Sequence, residues 1–338
     1  VIDPQFSQRP GDFSEGFAIY PRSGLSGIQN YRYLTRVGKF AFAEKSFLYG
    51  FDFRFGFARV ALRRGLDSRN TSPVFHWGWV DKQGKVYDFD EPAIPIDKNP
   101  ESLMIREGMV PSPSIDSEGD LKWGFRNLSG AWVIQPLYFS VRPFYFEKAF
   151  VQISEGSGVW LRDHFILVAK NGNRVLDQIT FQDILAPNHT GLGVVRIVPL
   201  PGETEVKSYL FHWKKNQFSQ SIISSSDWQD PPWEFDWISG GEWVQDPDGI
   251  LRFQAGYYDE NFNLILGETA EGFRIMKAYP FFEGFAFVEF YKRGEKKINS
   301  KKGLIDRSGK LRFYFEDGKV GFPPLRFGSE RILVTKVR

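Results

Sequence analysis

Short runs of alternating apolar and polar residues follow one another along this chain, and turn residues rather than helix caps separate them. The segment "HWGWVDKQGKVY" (76–87) shows the unit: an aromatic and β-branched run, a polar-x-x-Gly break at Asp81 to Gly84, and a second run. An Asp or Asn in that place can bond its own backbone, and Gly can take a positive φ, so the pattern predicts a β-hairpin. "KWGFRNLSGAWVI" (122–134) and "KGLIDRSGKLRF" (302–313) repeat it closely. Weaker copies are "YRYLTRVGKFAF" (31–42), "FILVAKNGNRVL" (165–176), "YLFHWKKNQFSQ" (209–220) and "GYYDENFNLIL" (256–266). The predicted turn positions are Gly38, Gly84, Gly130, Gly172, Asn216, Phe262 and Gly309, spaced 46, 46, 42, 44, 46 and 47 residues apart. In the clear copies Gly also follows Trp or Lys in the first strand, where a missing side chain lets a neighbouring strand approach closely.

A second pattern lies between the hairpins. "FSEGFAIY" (13–20), "FRFGFARV" (53–60), "FEKAFVQI" (146–153) and "FFEGFAFV" (281–288) each read as a buried strand entered through an acidic-Gly bend. Its copies fall near residues 16, 56, 108, 149, 191, 240, 284 and 330, eight strands to seven hairpins. No stretch has sustained helical periodicity with caps, and "EPAIPIDKNPESL" (91–103) and "EGMVPSPSIDSEGD" (107–120) read as Pro-rich loops. The expectation is one all-β repeat domain over residues 1–338, built from seven units of ~45 residues. That length suits one four-stranded blade, so a seven-bladed β-propeller is the favoured arrangement, which would also remove exposed strand edges. An open curved β-solenoid of stacked hairpins is the alternative, and the surplus strand "FGSERILVTKV" (327–337) would cap it.

The paired patterns resemble the bacterial WG-repeat family, also called KWG repeats. "FSEGFA", "WGWVDKQGKVY" and "KWGFRNLSGAWVIQP" carry the resemblance, which spans essentially the whole chain and is degenerate outside three repeats. It implies a β-rich scaffold, with no general enzymatic activity, no agreed ligand and no functional residues to transfer. With the absence of an initiator Met at Val1, it also suggests an exported protein of the bacterial envelope or a secreted one.

Composition adds bounds. Aromatic residues make up 17% of the chain, led by 34 Phe, which favours pleated, half-buried surfaces. A net charge of +2 gives no broad field, which argues against nucleic acid or an anionic membrane as the main partner. The basic stretch "YKRGEKKINSKKG" (291–303) reads as a solvated loop. There is no Cys, hence no disulfide, thiol nucleophile or thiolate metal site. No apolar run is long enough to span a bilayer as a helix.

Candidate chemistry is sparse. His76, His164, His189 and His212 lie in different repeats without ligand spacing and read as structural, so no metal or cofactor is expected. There is no nucleophile elbow and no phosphate loop. The acids of "YDFDEP" (87–92) could be imagined as a glycosidase pair, but only three dimensions give their separation. Asp246 and Asp248 in "QDPDG" read as a plain turn rather than a calcium loop, and Asn70, Asn127 and Asn188 match the glycosylation sequon. Trp77, Trp123 and Trp132 occupy strand positions of the repeat and are expected in the core, as are Trp237 and Trp243 in "WISGGEWV". The segment "SSSDWQDPPWEFD" (224–236) belongs to neither pattern. Aromatic residues on loops of a rigid scaffold concentrate binding energy, so Trp228, Asp230, Trp233 and Glu234 are the candidate contacts. The expected function is a non-enzymatic scaffold binding a protein or peptide partner. Carbohydrate recognition by exposed rings is one alternative, and an enzyme in the channel of a propeller is another.

Overall fold

The structure is a computed structural model. It describes residues 8–23, 29–42, 45–67, 70, 72–95, 103–155, 162–176, 179–198, 207–219, 238–245, 251–279, 281, 284–292, 300–315, 327–328 and 331–332. The chain divides into two compact units, Val1–Gln178 and Ile179–Arg338. Among the described residues every regular element is a β-strand, and every strand pairing is antiparallel.

Where a repeat forms its own sheet of three or more described strands, consecutive strands pair as an up-and-down meander. In the first unit, Tyr49–Gly50, Phe57–Leu66, Pro73–Asp81 and Val86–Tyr87 form one sheet, and Val110–Ile115, Leu121–Arg126 and Trp132–Tyr138 form the next. In the second unit, Phe273–Ala278, Phe285–Lys292, Lys301–Asp306 and Leu311–Phe315 make a complete four-stranded example. This is the local form that β-propellers and β-solenoids share.

The hairpin chemistry is as the residues predict. All seven predicted turn positions have positive φ: Gly38 at 76°, Gly84 at 81°, Gly130 at 91°, Gly172 at 82°, Asn216 at 54°, Phe262 at 66° and Gly309 at 78°. The polar residue opening the turn bonds its own backbone. Asp81 Oδ1 accepts from the Gln83 and Lys85 N–H groups at 3.0 and 2.8 Å, and Asp306 Oδ1 from Ser308 and Lys310 at 2.9 and 3.1 Å. The Ser308 hydroxyl, with Arg312 and those two N–H groups, outweighs the slight effect of burial and holds Asp306 down at about 2. In the first strand, a Cβ on Gly124 would lie 2.5 Å from the Ile134 carbonyl oxygen, so the third strand packs where a side chain would be.

The acidic-Gly bends are two-residue hairpin loops in which both central residues have positive φ, the geometry that matches strand twist. Glu15 and Gly16 are at 50° and 93°, Phe55 and Gly56 at 53° and 86°, Glu107 and Gly108 at 52° and 76°. The bend assigned near 149 lies instead at Phe146 and Glu147, at 51° and 65° with no glycine. Gly191, assigned to the same pattern, closes a turn whose opening residue is Asn188. Its Oδ1 accepts from the Leu192 N–H at 3.0 Å, as in the hairpin pattern.

Two further expectations change. Residues 107–120 are not a loop, because Val110–Ile115 pairs with Leu121–Arg126 and the bend at 116–120 is a regular turn. Pro111 and Pro113 are tolerated because alternate residues direct their missing N–H groups to one side, and the strand ends its sheet. Trp132 is only half-buried, stacked beneath the Arg126 guanidinium at 4.0 Å from its ring centroid. Trp77 and Trp123 are core residues, 0% and 3% exposed, in the cluster that also holds Trp79, Phe125, Phe144 and Ile134.

Candidate functional site

The site begins with a bend. Arg54 N–H donates to the Phe57 carbonyl at 2.8 Å and Phe51 N–H to the Arg59 carbonyl at 2.9 Å, so residues 51–54 are tied to 57–59 around Phe55 and Gly56. Phe53 turns inward, 1% exposed, while Asp52 and Arg54 on either side face out. Beside them is a pocket of about 190 Å³, walled by half-buried Tyr49, Phe51 and Phe57 and by Trp79, with Arg59 also in the lining.

Arg59 is a buried cation. Its Nη1 and Nη2 donate to Glu91 Oε1 and Oε2 at 3.3 and 2.5 Å, with both side chains at most 2% exposed. The guanidinium also sits 4.9 Å from the Trp79 ring centroid and 5.9 Å from that of Trp77. Charge and hydrogen bonds are thus satisfied together, as a buried ion pair requires. The Trp79 indole N–H is different: it is buried and has no acceptor. Beneath the pocket Tyr33 donates to the Phe51 carbonyl at 2.8 Å, and burial, then the charge of Asp52, pushes its phenol far up.

The repeat's acidic residue has a structural role that reading the sequence missed. Glu15 reaches the next bend, forty residues on, and accepts from the Phe55 and Gly56 N–H groups at 2.6 and 2.9 Å, while Lys82 pairs with it at 2.9 Å. Burial pushes the Glu15 carboxyl up, but Lys82 and the two N–H groups together hold it below its ordinary value. Glu107 does the same for the following repeat, accepting from the Glu147 N–H at 2.8 Å and pairing with Lys170 at 3.3 Å. Between these staples the Arg106 guanidinium is sandwiched, 3.9 Å from the Phe55 ring centroid and 4.0 Å from that of Tyr145. A Glu forty residues before a residue of the next bend is the sequence signal that marks it.

The residues singled out from sequence are distributed differently. Trp228, Asp230, Trp233 and Glu234 lie outside the described residues, as do Trp237, Asp246 and Asp248, and the side chain of Trp243. His164 and His212 are buried structural residues, and the His212 ring accepts the Lys215 N–H at 3.4 Å. Burial, then Lys215, lowers the pKa of His212. Among the described residues no group of three His, Asp or Glu is placed to hold a metal ion. Of the "YDFDEP" acids, Glu91 is committed to Arg59 and Asp88 pairs with Arg63 at 3.6 Å. Asn188 is fully buried, whereas Asn70 is exposed.

Comparisons with known proteins follow this geometry. The family model described as WG containing repeat matches residues 123–155. That stretch runs from the strand of Trp123 through the Gly130 turn to the end of Lys148–Glu155, so it supports the WG-repeat resemblance there. No curated protein matches the chain. A solved structure described as "Crystal structure of the eukaryotic initiation factor" aligns over 92% of this chain and 89% of its own, at 10% identity and a TM-score of 0.40. So loose a likeness carries no argument.

Proposed function

We propose that this protein is a non-enzymatic β-repeat scaffold that binds a protein or peptide partner. The observation that carries the reading is the pocket of the first unit: aromatic walls held on a stapled framework, with Asp52 and Arg54 as a polar rim. Anchor side chains bind against aromatic surface that is ringed by polar groups. Trp228 and Trp233, with Asp230 and Glu234, remain a second proposed contact region. A peptide-display selection against the whole chain tests the function. A convergent sequence that binds as a synthetic peptide supports it, and no enrichment over repeated selections counts against it. Replacing Trp228 and Trp233 by Ala is expected to abolish binding of such a peptide, and unchanged affinity removes that segment from the proposal.

Carbohydrate recognition is the second reading. The same pocket sets rings beside a carboxylate and a guanidinium, which suit hydroxyl groups. A glycan array separates the two, since selective binding of one sugar class favours it over the peptide reading.

A further inference from the structure

The pocket's charges are unequally committed. Arg59 is neutralised by Glu91, so its charge is spent inside the protein. Among the described residues the Arg54 side chain, in contrast, has no hydrogen-bond or ion-pair partner, and it lines the same pocket. The unpartnered Trp79 indole N–H lies buried behind the wall, so Arg54 is the donor that a ligand can reach. Asp52 already acts on Tyr33, yet it is exposed and a carboxylate has several acceptor positions. Asp52 and Arg54 flank inward-facing Phe53, and both are exposed and line the pocket. An acceptor and a donor side by side can meet an α-nitrogen and its own carboxylate with one hydrogen bond each. The volume of about 190 Å³ is below the range of sites for drug-sized molecules, and suits the side chain of one large residue.

We infer that this pocket takes an apolar amino-acid unit with a free carboxylate: Arg54 pairs the carboxylate, Asp52 accepts from the α-nitrogen, and Tyr49, Phe51 and Phe57 enclose the side chain. The favoured source is the C-terminal residue of a partner chain, and in that form the inference rests on the peptide-binding reading. The lining supports this ligand over a cation, because its exposed uncommitted charge is the Arg54 guanidinium.

The test is a ligand-observed NMR titration of the whole chain with N-acetyl-L-phenylalanine, N-acetyl-L-phenylalaninamide and L-phenylalanine. The acid is expected to bind at least tenfold more tightly than its amide, and Arg54→Gln to erase the difference. Arg54 is exposed, so the variant's urea midpoint should match that of the parent. Preference for N-acetyl-L-phenylalanine over L-phenylalanine supports a chain terminus as source. The reverse preference, with the carboxylate still required, supports the pocket and assigns it to a free amino acid. Equal affinity for acid and amide, affinity unaltered in Arg54→Gln, or no binding by any of the three overturns the inference. A display-selected peptide that binds with its C-terminus amidated, and is indifferent to Arg54→Gln, would leave the peptide reading standing while this site falls.

Discussion

The glycine beside Trp123 gives the sharpest test of how these meanders are packed. In Gly124→Ala the added Cβ would lie 2.5 Å from the Ile134 oxygen, 2.7 Å from the Gln135 carbonyl carbon and 2.8 Å from its oxygen. All three are backbone atoms, so no rotamer change relieves the clash. Ordinary contact begins at 3.4 Å, and the strand Trp132–Tyr138 would have to retreat by about 0.9 Å. Retreat strains the pairing of Ile134 with Phe125 and withdraws a core residue that is 5% exposed. Overpacking of this sort costs about 1–3 kcal/mol. The entropy that Gly→Ala removes from the unfolded chain offsets about 0.4–1 kcal/mol, because Gly124 does not have a positive φ. A net loss of about 1–2 kcal/mol should lower the urea midpoint by roughly 0.5–1 M. Gly65→Ala is the control: its Cβ would meet only Val74 Cγ2 at 3.4 Å, so the same substitution should be neutral or slightly stabilising. Equilibrium urea unfolding of the parent and both variants, followed by tryptophan fluorescence, makes the comparison. If Gly124→Ala proved as stable as Gly65→Ala, the close approach would not be what requires a bare backbone at this position, and the packing argument would fail.

Two other consequences concern charge. Arg59→Ala leaves Glu91 buried without its partner and should cost about 3–5 kcal/mol, whereas the paired replacement Arg59→Met with Glu91→Leu should cost much less; a double-mutant cycle in urea that shows no coupling would refute the pairing. Glu15 is held below its ordinary carboxylate value, so its contribution is fully present above about pH 4.5 and is lost as pH falls through the lower folded value. The stability gap between the parent and Glu15→Gln, about 1 kcal/mol at pH 7, should therefore shrink towards zero in strong acid, as read from urea midpoints at both pH values. A gap that widened on acidification would reverse the assigned sign.

Much of the local structure can be read from residue order. Four of the seven hairpin turns, those opened by Asp81, Asn127, Asp259 and Asp306, are determined by chemistry within five residues of one another: an Asp or Asn that caps its own backbone, then a residue at positive φ. Even Asn216 and Phe262, which replace the glycine, keep the geometry because the flanking strands dictate the turn. The burial of Trp77 and Trp123 follows likewise from their place in the repeat's first strand, which is buried on both faces there. Composition, in contrast, misled at 107–120, where proline is compatible with a strand once that strand lies at the end of its sheet. What only the tertiary structure decided depends on partners far apart in sequence. Arg59 meets Glu91 thirty-two residues on, Glu15 staples a bend forty residues away, and Phe51, Arg54 and Trp79 converge on one pocket. No periodicity encodes such meetings, because hydrophobic patterning says which face of a strand is buried, whereas the twist and register of neighbouring strands decide which residues that face will touch.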